Sequence, residues 1–169
     1  MTSDTVARSE RAAVLPSDPA AFVAEAERIS NAAALDELAP IYAPDVVFES
    51  TTDGVFDRYA GRDQVVRAWS AILTGMRRSG GEVHKTLLGT THDAILNDWQ
   101  GQIAGRLTRG LEYWRFDEGG LVCHHRIYAS MSARSSRDPR AVIRLALNWP
   151  LLSARMLTAQ VRFGAKPQR

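Results

Sequence analysis

The sequence lacks most of the features that announce a chemistry. Its 169 residues include one cysteine, Cys123, so an internal disulfide is excluded and a reducing cytoplasm is the expected compartment. Cys123 falls in a strand-like run and reads as a small core residue, not a nucleophile. No apolar run approaches the roughly 18 residues of a membrane span. The opening stretch, MTSDTVARSERAAVLPSD, scatters charge and has no apolar segment of the kind a secretory signal needs. There is no glycine-rich phosphate loop after a strand and no G-x-S-x-G, so neither a nucleotide cofactor nor triad hydrolysis finds support. The four histidines, His84, His92, His124 and His125, stand at no metal-ligand spacing, and adjacent residues of a strand face opposite ways. No cofactor and no metal are expected.

Charge is nearly balanced but unevenly placed. The total is +2, yet residues 132–169 hold eight Arg or Lys against one Asp, +7, which leaves −5 on residues 1–131. The body shows no basic stripe and no recognised nucleic-acid motif, so nucleic acid is not an expected partner. A basic, partly apolar tail could meet an anionic membrane surface, but its arginines are interspersed with apolar residues that need cover. Docking on the body or a dimer interface is the favoured reading.

The length suits one domain able to bury most of its unfolded surface. Residues 1–17 read as a disordered tail, 18–133 as an α+β domain, and 134–169 as a basic helical extension, split or kinked at Pro150. SDPAAFVAEAERISNAA opens with an N-cap at Ser17 or Asp18 and carries Phe22, Ala26, Ile29 and Ala33 at helical spacing. LDELAPIYAPD predicts a second short helix ended by Pro44. DVVFES predicts a strand, and TTDGVFDRYAG a loop. GRDQVVRAWSAILTG predicts a third helix that buries Val65, Ala68, Trp69 and Ile72 and is capped at Gly75. Four strands follow: EVHKTLLGTT, DAILNDWQGQI, RGLEYWRF and GLVCHHRIYASM. Helices followed by a run of antiparallel strands predict helices on one face of a curved sheet.

Strand alternation puts a carboxylate on a greasy face, since Glu112 is in step with Trp114 and Phe116. On the last strand His125 keeps step with Cys123, Ile127 and Ala129, so it looks inward and His124 outward. Asn97 and Trp99 share a face, and Asp98 faces away.

The motifs Y-A-x-D-V-V-F, G-R-D opening a helix, G-x-E-x-x-R-F-D-x-G and H-R-x-Y resemble the SnoaL-like branch of the nuclear transport factor 2-like superfamily, over residues 18–131. Ketosteroid isomerase, limonene epoxide hydrolase, scytalone dehydratase and certain polyketide cyclases share that fold. The resemblance implies an α+β cone, a strongly bent and mainly antiparallel sheet around a pocket closed by the N-terminal helices. It also implies that Glu112 looks into the pocket, at a position where the isomerases carry a protonated carboxylic acid. Glu112 and His125 are the candidate catalytic pair, because two titratable groups in a dry pocket form an acid–base couple. A purely structural pairing is the competing reading. Phe48, Ser50, Tyr59, Trp69, Asn97, Trp99, Trp114 and Ile127 are the candidate substrate-binding residues.

The sequence departs from the family's mechanisms. Ser50 stands where the isomerase base is an aspartate, Ala26 near its oxyanion tyrosine, and Ile127 where the epoxide hydrolase has an aspartate. His84, in H-K-T-L-L-G-T, resembles a dehydratase histidine without its partner and is expected to face solvent or be hydrogen-bonded; His92 is expected in an exposed turn. The expectation is a cofactor-independent enzyme acting on a hydrophobic, polyketide-, terpenoid- or steroid-like small molecule by acid–base chemistry such as isomerisation, cyclisation, dehydration or epoxide opening. The competing function is a non-catalytic ligand-binding or assembly module. A homodimer is expected in either case.

Overall fold

The computed structural model describes residues 12–131 and the isolated positions 143, 147 and 150. The chain divides into two compact units, Met1–Ser132 and Ala133–Arg169. Ile143, Leu147 and Pro150 are helical, and the rest of the expected C-terminal extension lies outside the described residues, as do residues 1–11.

The first unit begins with two contacts ahead of any regular element. The Val14 N–H donates to the Asp117 carbonyl at 2.9 Å, and Leu15 packs against the core. Helix α1, Pro19–Ala32, starts as its sequence directs: Asp18 accepts from the Ala21 N–H, and Pro19 sits where no N–H is needed. It buries Val23, Ala26, Ile29 and Ser30. A short helix α2, Leu35–Leu38, and a 3-10 turn, Ala39–Ile41, lead into strand β1, Tyr42–Thr52. Then come β2, Val55–Ala60; α3, Arg62–Arg78; β3, Glu82–Thr90; β4, Ala94–Ile103; β5, Arg106–Phe116; and β6, Val122–Ser130.

The six strands form one open sheet in the order β2-β1-β6-β5-β4-β3, antiparallel throughout except for the parallel β1–β6 pair. Helix α1 packs on β3, where Asn31 brackets Val83, donating to its carbonyl at 2.8 Å and accepting from its N–H at 2.9 Å. That bracket occupies backbone groups of an edge strand that would otherwise invite pairing. The expected α+β cone, helices on one side of a mainly antiparallel sheet, is what the chain forms.

Register decides which side chains meet. One inward row runs Ile95, Trp114, His125, Phe48, Tyr59 across five strands. The next runs Leu87, Asn97, Glu112, Ile127, Ser50. A third runs Lys85, Trp99, Gly110, Ala129. At Gly110 a Cβ would lie 2.6 Å from both the Trp99 ring and the Tyr128 carbonyl, so the glycine lets the indole lie flat on the sheet. Gly110→Ala is therefore expected to lower stability by about 1–3 kcal/mol through overpacking. Urea denaturation checks this, and a loss below about 0.5 kcal/mol would mean that the Trp99 ring slides freely.

Several sequence expectations are corrected. Pro44 does not end a helix; it lies inside β1, in the irregular stretch between Tyr42 and Val47 where the pairing with β6 breaks and no ladder N–H is required. The stretch 51–61 is not a loop. Asp53 and Gly54, at φ 49° and 87°, make a tight hairpin turn into β2. Gly75 is not a cap. Helix α3 runs on to Arg78 and buries Val65, Trp69, Leu73 and Met76, leaving Ile72 exposed. Cys123 does not share the His125 face. A bulge opposite Arg115 and Phe116 leaves Val122 and His125 both buried, and Cys123 sits half-buried between them, its Sγ 3.5 Å from the Arg115 carbonyl.

Candidate active site

The concave face buries two ionisable groups, and each has a partner the sequence did not name. Glu112 is joined to Lys85, whose Nζ donates to Oε1 at 2.7 Å and Oε2 at 2.5 Å. The two side chains are 2% and 3% exposed, so this is an ion pair shut away from water. Asn97 Nδ2 donates to Glu112 Oε2 at 3.0 Å, and Asn97 Oδ1 accepts from the Trp114 indole at 2.8 Å. A continuous chain thus runs Lys85, Glu112, Asn97, Trp114. Both carboxylate oxygens act as acceptors in it.

His125 sits beside that chain. Its ring stacks on Trp114 with centroids 3.5 Å apart and lies nearly parallel to Trp69 at 5.3 Å. Phe48 closes a third side at 5.2 Å. The Tyr42 hydroxyl meets Nδ1 at 2.9 Å, while Nε2 is buried with no hydrogen-bond partner among the described residues. Burial, then the nearby Lys85 and His124 charges, hold the imidazole well below its ordinary pKa, so it is neutral. Burial, then the Glu112 charge, push the Tyr42 phenol well above its usual value. Glu112 and His125 line the same interior but make no hydrogen bond to each other: the expected couple is two couples, Glu112 with Lys85 and His125 with Tyr42.

No family model matches the sequence, and no curated protein does. Solved structures do. A steroid delta-isomerase from Pseudomonas aeruginosa superposes with TM-score 0.55 at 20% identity, over 88% of this chain and 97% of its own. An NTF2-like protein of unknown function from Mesorhizobium loti gives 0.51 at 25%, over 68% and 95%. This chain has the nuclear transport factor 2-like fold. An epoxide hydrolase/cyclase-like enzyme of pyran ring formation in the polyether salinomycin shares it, with TM-score 0.53 at 14% identity over 67% and 91%. Isomerase and cyclase-like enzymes are thus among the structures built on this nuclear transport factor 2-like cone, and the likeness at these identities is one of fold.

Within the cone, Phe48, Trp69, Asn97, Trp99, Trp114 and Ile127 are buried on the concave side, and Ser50 and Tyr59 are half-buried there. Ser50 Oγ is 3.0 Å from Thr52 Oγ1. His84 is mostly exposed, 3.4 Å from Glu27, and His92 is exposed in its turn. His124 points outward to Glu49 at 3.1 Å, where Arg126 also binds the same oxygen at 2.8 and 2.5 Å. Burial raises the Glu49 pKa, but the Arg126 and His124 contacts outweigh it, and the net effect is a lowered value. Asp98 faces away from the interior and lines a groove of about 690 Å³ on the outer side, with Leu111 and Tyr128. Among the described residues no three His, Cys, Asp or Glu side chains converge as a metal site, and no helix is long and apolar enough to cross a membrane.

Lys85 and Tyr42 are the site residues that sequence reasoning missed. Lys85 was available from alternation with Val83 and Leu87, which share its face. Tyr42 was absorbed into a helix because Pro44 looked like its end.

Proposed function

We propose that this protein is a cofactor-independent enzyme that moves protons on a hydrophobic, polyketide-, terpenoid- or steroid-like small molecule. Isomerisation, cyclisation, dehydration and epoxide opening are the reactions of that class. The observation that carries the reading is His125, fully buried among aromatic rings, neutral, with Nε2 unpartnered among the described residues. An isolated buried ring nitrogen costs about 1–3 kcal/mol, a cost that a purely structural histidine would avoid by pairing both nitrogens. In this reading His125 donates to a substrate oxygen through Nε2, as a neutral imidazole can. Tyr42 holds its other nitrogen, and Glu112 is the carboxylate that accepts the proton, positioned by Lys85 and Asn97. Phe48, Trp69, Trp99, Trp114 and Ile127 enclose the substrate, with Tyr59 and Ser50 toward the open end.

The test is turnover of a panel of polycyclic ketones, epoxides and linear polyketide mimics. On whichever compound reacts, His125→Ala and Glu112→Gln are each expected to lower kcat about 10²–10⁴-fold. Full activity in both variants would sink the assignment.

A specific observation favours the second reading, a non-catalytic module that binds hydrophobic ligands. Both Glu112 oxygens are already engaged by Lys85. Ligand affinity without turnover across the panel would select it. In either case we infer a homodimer formed through the outer sheet face, supported by the half-exposed Leu111 and Tyr128. Light scattering of the full chain checks this, and a monomer at micromolar concentration would count against it.

A further inference from the structure

Ile143, Leu147 and Pro150 are helical, apolar and exposed, the first two by 58% and 77%. Their spacing is i, i+4, i+7, so they make one stripe along a helix. A helix packed through such a stripe buries those positions; here they are open to water.

The sequence says what borders the stripe. Arg140 precedes Ile143 by three positions and Arg144 precedes Leu147 by three, the spacing that sets two residues side by side on a helix. From Pro139 to Arg169 there are six Arg or Lys and no Asp or Glu. Cations alone, beside an exposed apolar stripe, complement a surface that is anionic outside and apolar beneath. Arginine suits that border, because its stem lies along apolar surface while the guanidinium stays at the polar level. Trp149 adds an amphipathic ring of the kind favoured at a membrane–water boundary. The segment does not read as a span. Its longest stretch without a charge is residues 145–154, about half of the roughly 20 residues needed to cross.

We propose that this segment binds the surface of an anionic lipid bilayer. Ile143, Leu147 and Pro150 enter the headgroup boundary, and Arg140 and Arg144 pair with lipid phosphates beside them. The proposal is independent of what the cone interior binds, so either can fail without the other.

The experiment is co-sedimentation of the full chain with vesicles of phosphatidylcholine alone and of phosphatidylcholine mixed with anionic phosphatidylglycerol. Binding to the mixed vesicles is expected to be at least about tenfold tighter. Raising the ionic strength from about 0.1 to 1 M shortens the screening length from about 10 to 3 Å and is expected to remove most of that difference. The double variant Arg140→Gln, Arg144→Gln is expected to weaken binding to the mixed vesicles about 25-fold, since each basic residue at such a surface contributes about a factor of five. The double variant Ile143→Asn, Leu147→Asn is expected to weaken it about tenfold or more. Exposed positions tolerate such changes, and thermal melts check that both variants fold. No sedimentation with the mixed vesicles overturns the proposal, and equal binding to both vesicle types refutes the anionic partner. If the Ile143, Leu147 variant binds vesicles like the parent, the stripe is not the contact and the proposal falls. If that variant also turns a dimer into a monomer by light scattering, the stripe is an interface between copies of this chain instead.

Discussion

Lys85→Met is expected to destabilise the protein by about 3–5 kcal/mol, the usual consequence of stripping one partner from a buried ion pair. Methionine keeps the length of the lysine stem, so packing is nearly preserved and the loss isolates the charge. What remains is a Glu112 carboxylate, 2% exposed, with Asn97 as its one remaining side-chain donor among the described residues. The double variant Lys85→Met, Glu112→Leu removes both charges, and it is expected to recover most of the loss, because two apolar side chains suit an aromatic interior as well as a buried pair does. Urea denaturation of the two single variants and the double variant closes the cycle. The coupling energy is expected to be favourable and larger than about 2 kcal/mol, beyond the range of a solvent-exposed pair. A Lys85→Met variant within about 1 kcal/mol of the parent would mean that water reaches Glu112. The comparison also bears on function. If a charge-free interior is as stable as the charged one, stability does not explain why the pair is there, and its explanation lies in function, as ligand recognition or as proton transfer.

The pair also marks where sequence reading stops. Glu112, Trp114 and Phe116 on one face, and His125 inward with His124 outward, follow from a period of two and needed nothing else. The Asp18 cap and the start of α1 are equally local. Lys85 obeys the same alternation, but a lysine in a strand commonly runs its stem along apolar surface and keeps its charge in water. Only the register, Lys85 beside Trp99 and Asn97 beside Glu112 in the next row, brings Nζ onto the carboxylate. Register across three strands is a tertiary property that periodicity does not contain. Strand β2 failed for another reason. It is an edge strand with mostly exposed side chains, so VFDRYA carries no burial alternation, and the Asp53–Gly54 pair was its one local signal. Tyr42 was lost because a proline inside a strand is normally evidence against one, except where the ladder is already broken, as it is at Pro44.

Stability is expected to fall with acid more steeply in the parent protein than in His125→Phe. In the folded chain His125 is held well below its ordinary value, first by burial and then by the Lys85 and His124 charges, with the Tyr42 hydroxyl on its Nδ1. In the unfolded chain it titrates near 6.5. Above that pH both states are neutral and His125 adds no pH dependence. Below it the unfolded chain takes up a proton that the folded chain refuses. The unfolded state then binds more protons, and folding stability drops by up to about 1.4 kcal/mol per pH unit until the folded value is reached. Phenylalanine fills the stack between Trp114 and Trp69 but cannot titrate, so its stability curve is expected to be flatter by that slope just below pH 6.5, even though its baseline is lowered by the orphaned Tyr42 hydroxyl. His124 is present in both proteins and cancels in the difference. Equal slopes in urea denaturation from pH 7.5 to 5 would mean that folded His125 accepts the proton, which requires water at Nε2 and an interior that opens. A steeper parent slope means that the imidazole stays neutral in the folded protein through mild acid. Any catalysis that depends on Nε2–H as a donor would then be lost in acid through unfolding of the chain, not through protonation of the site.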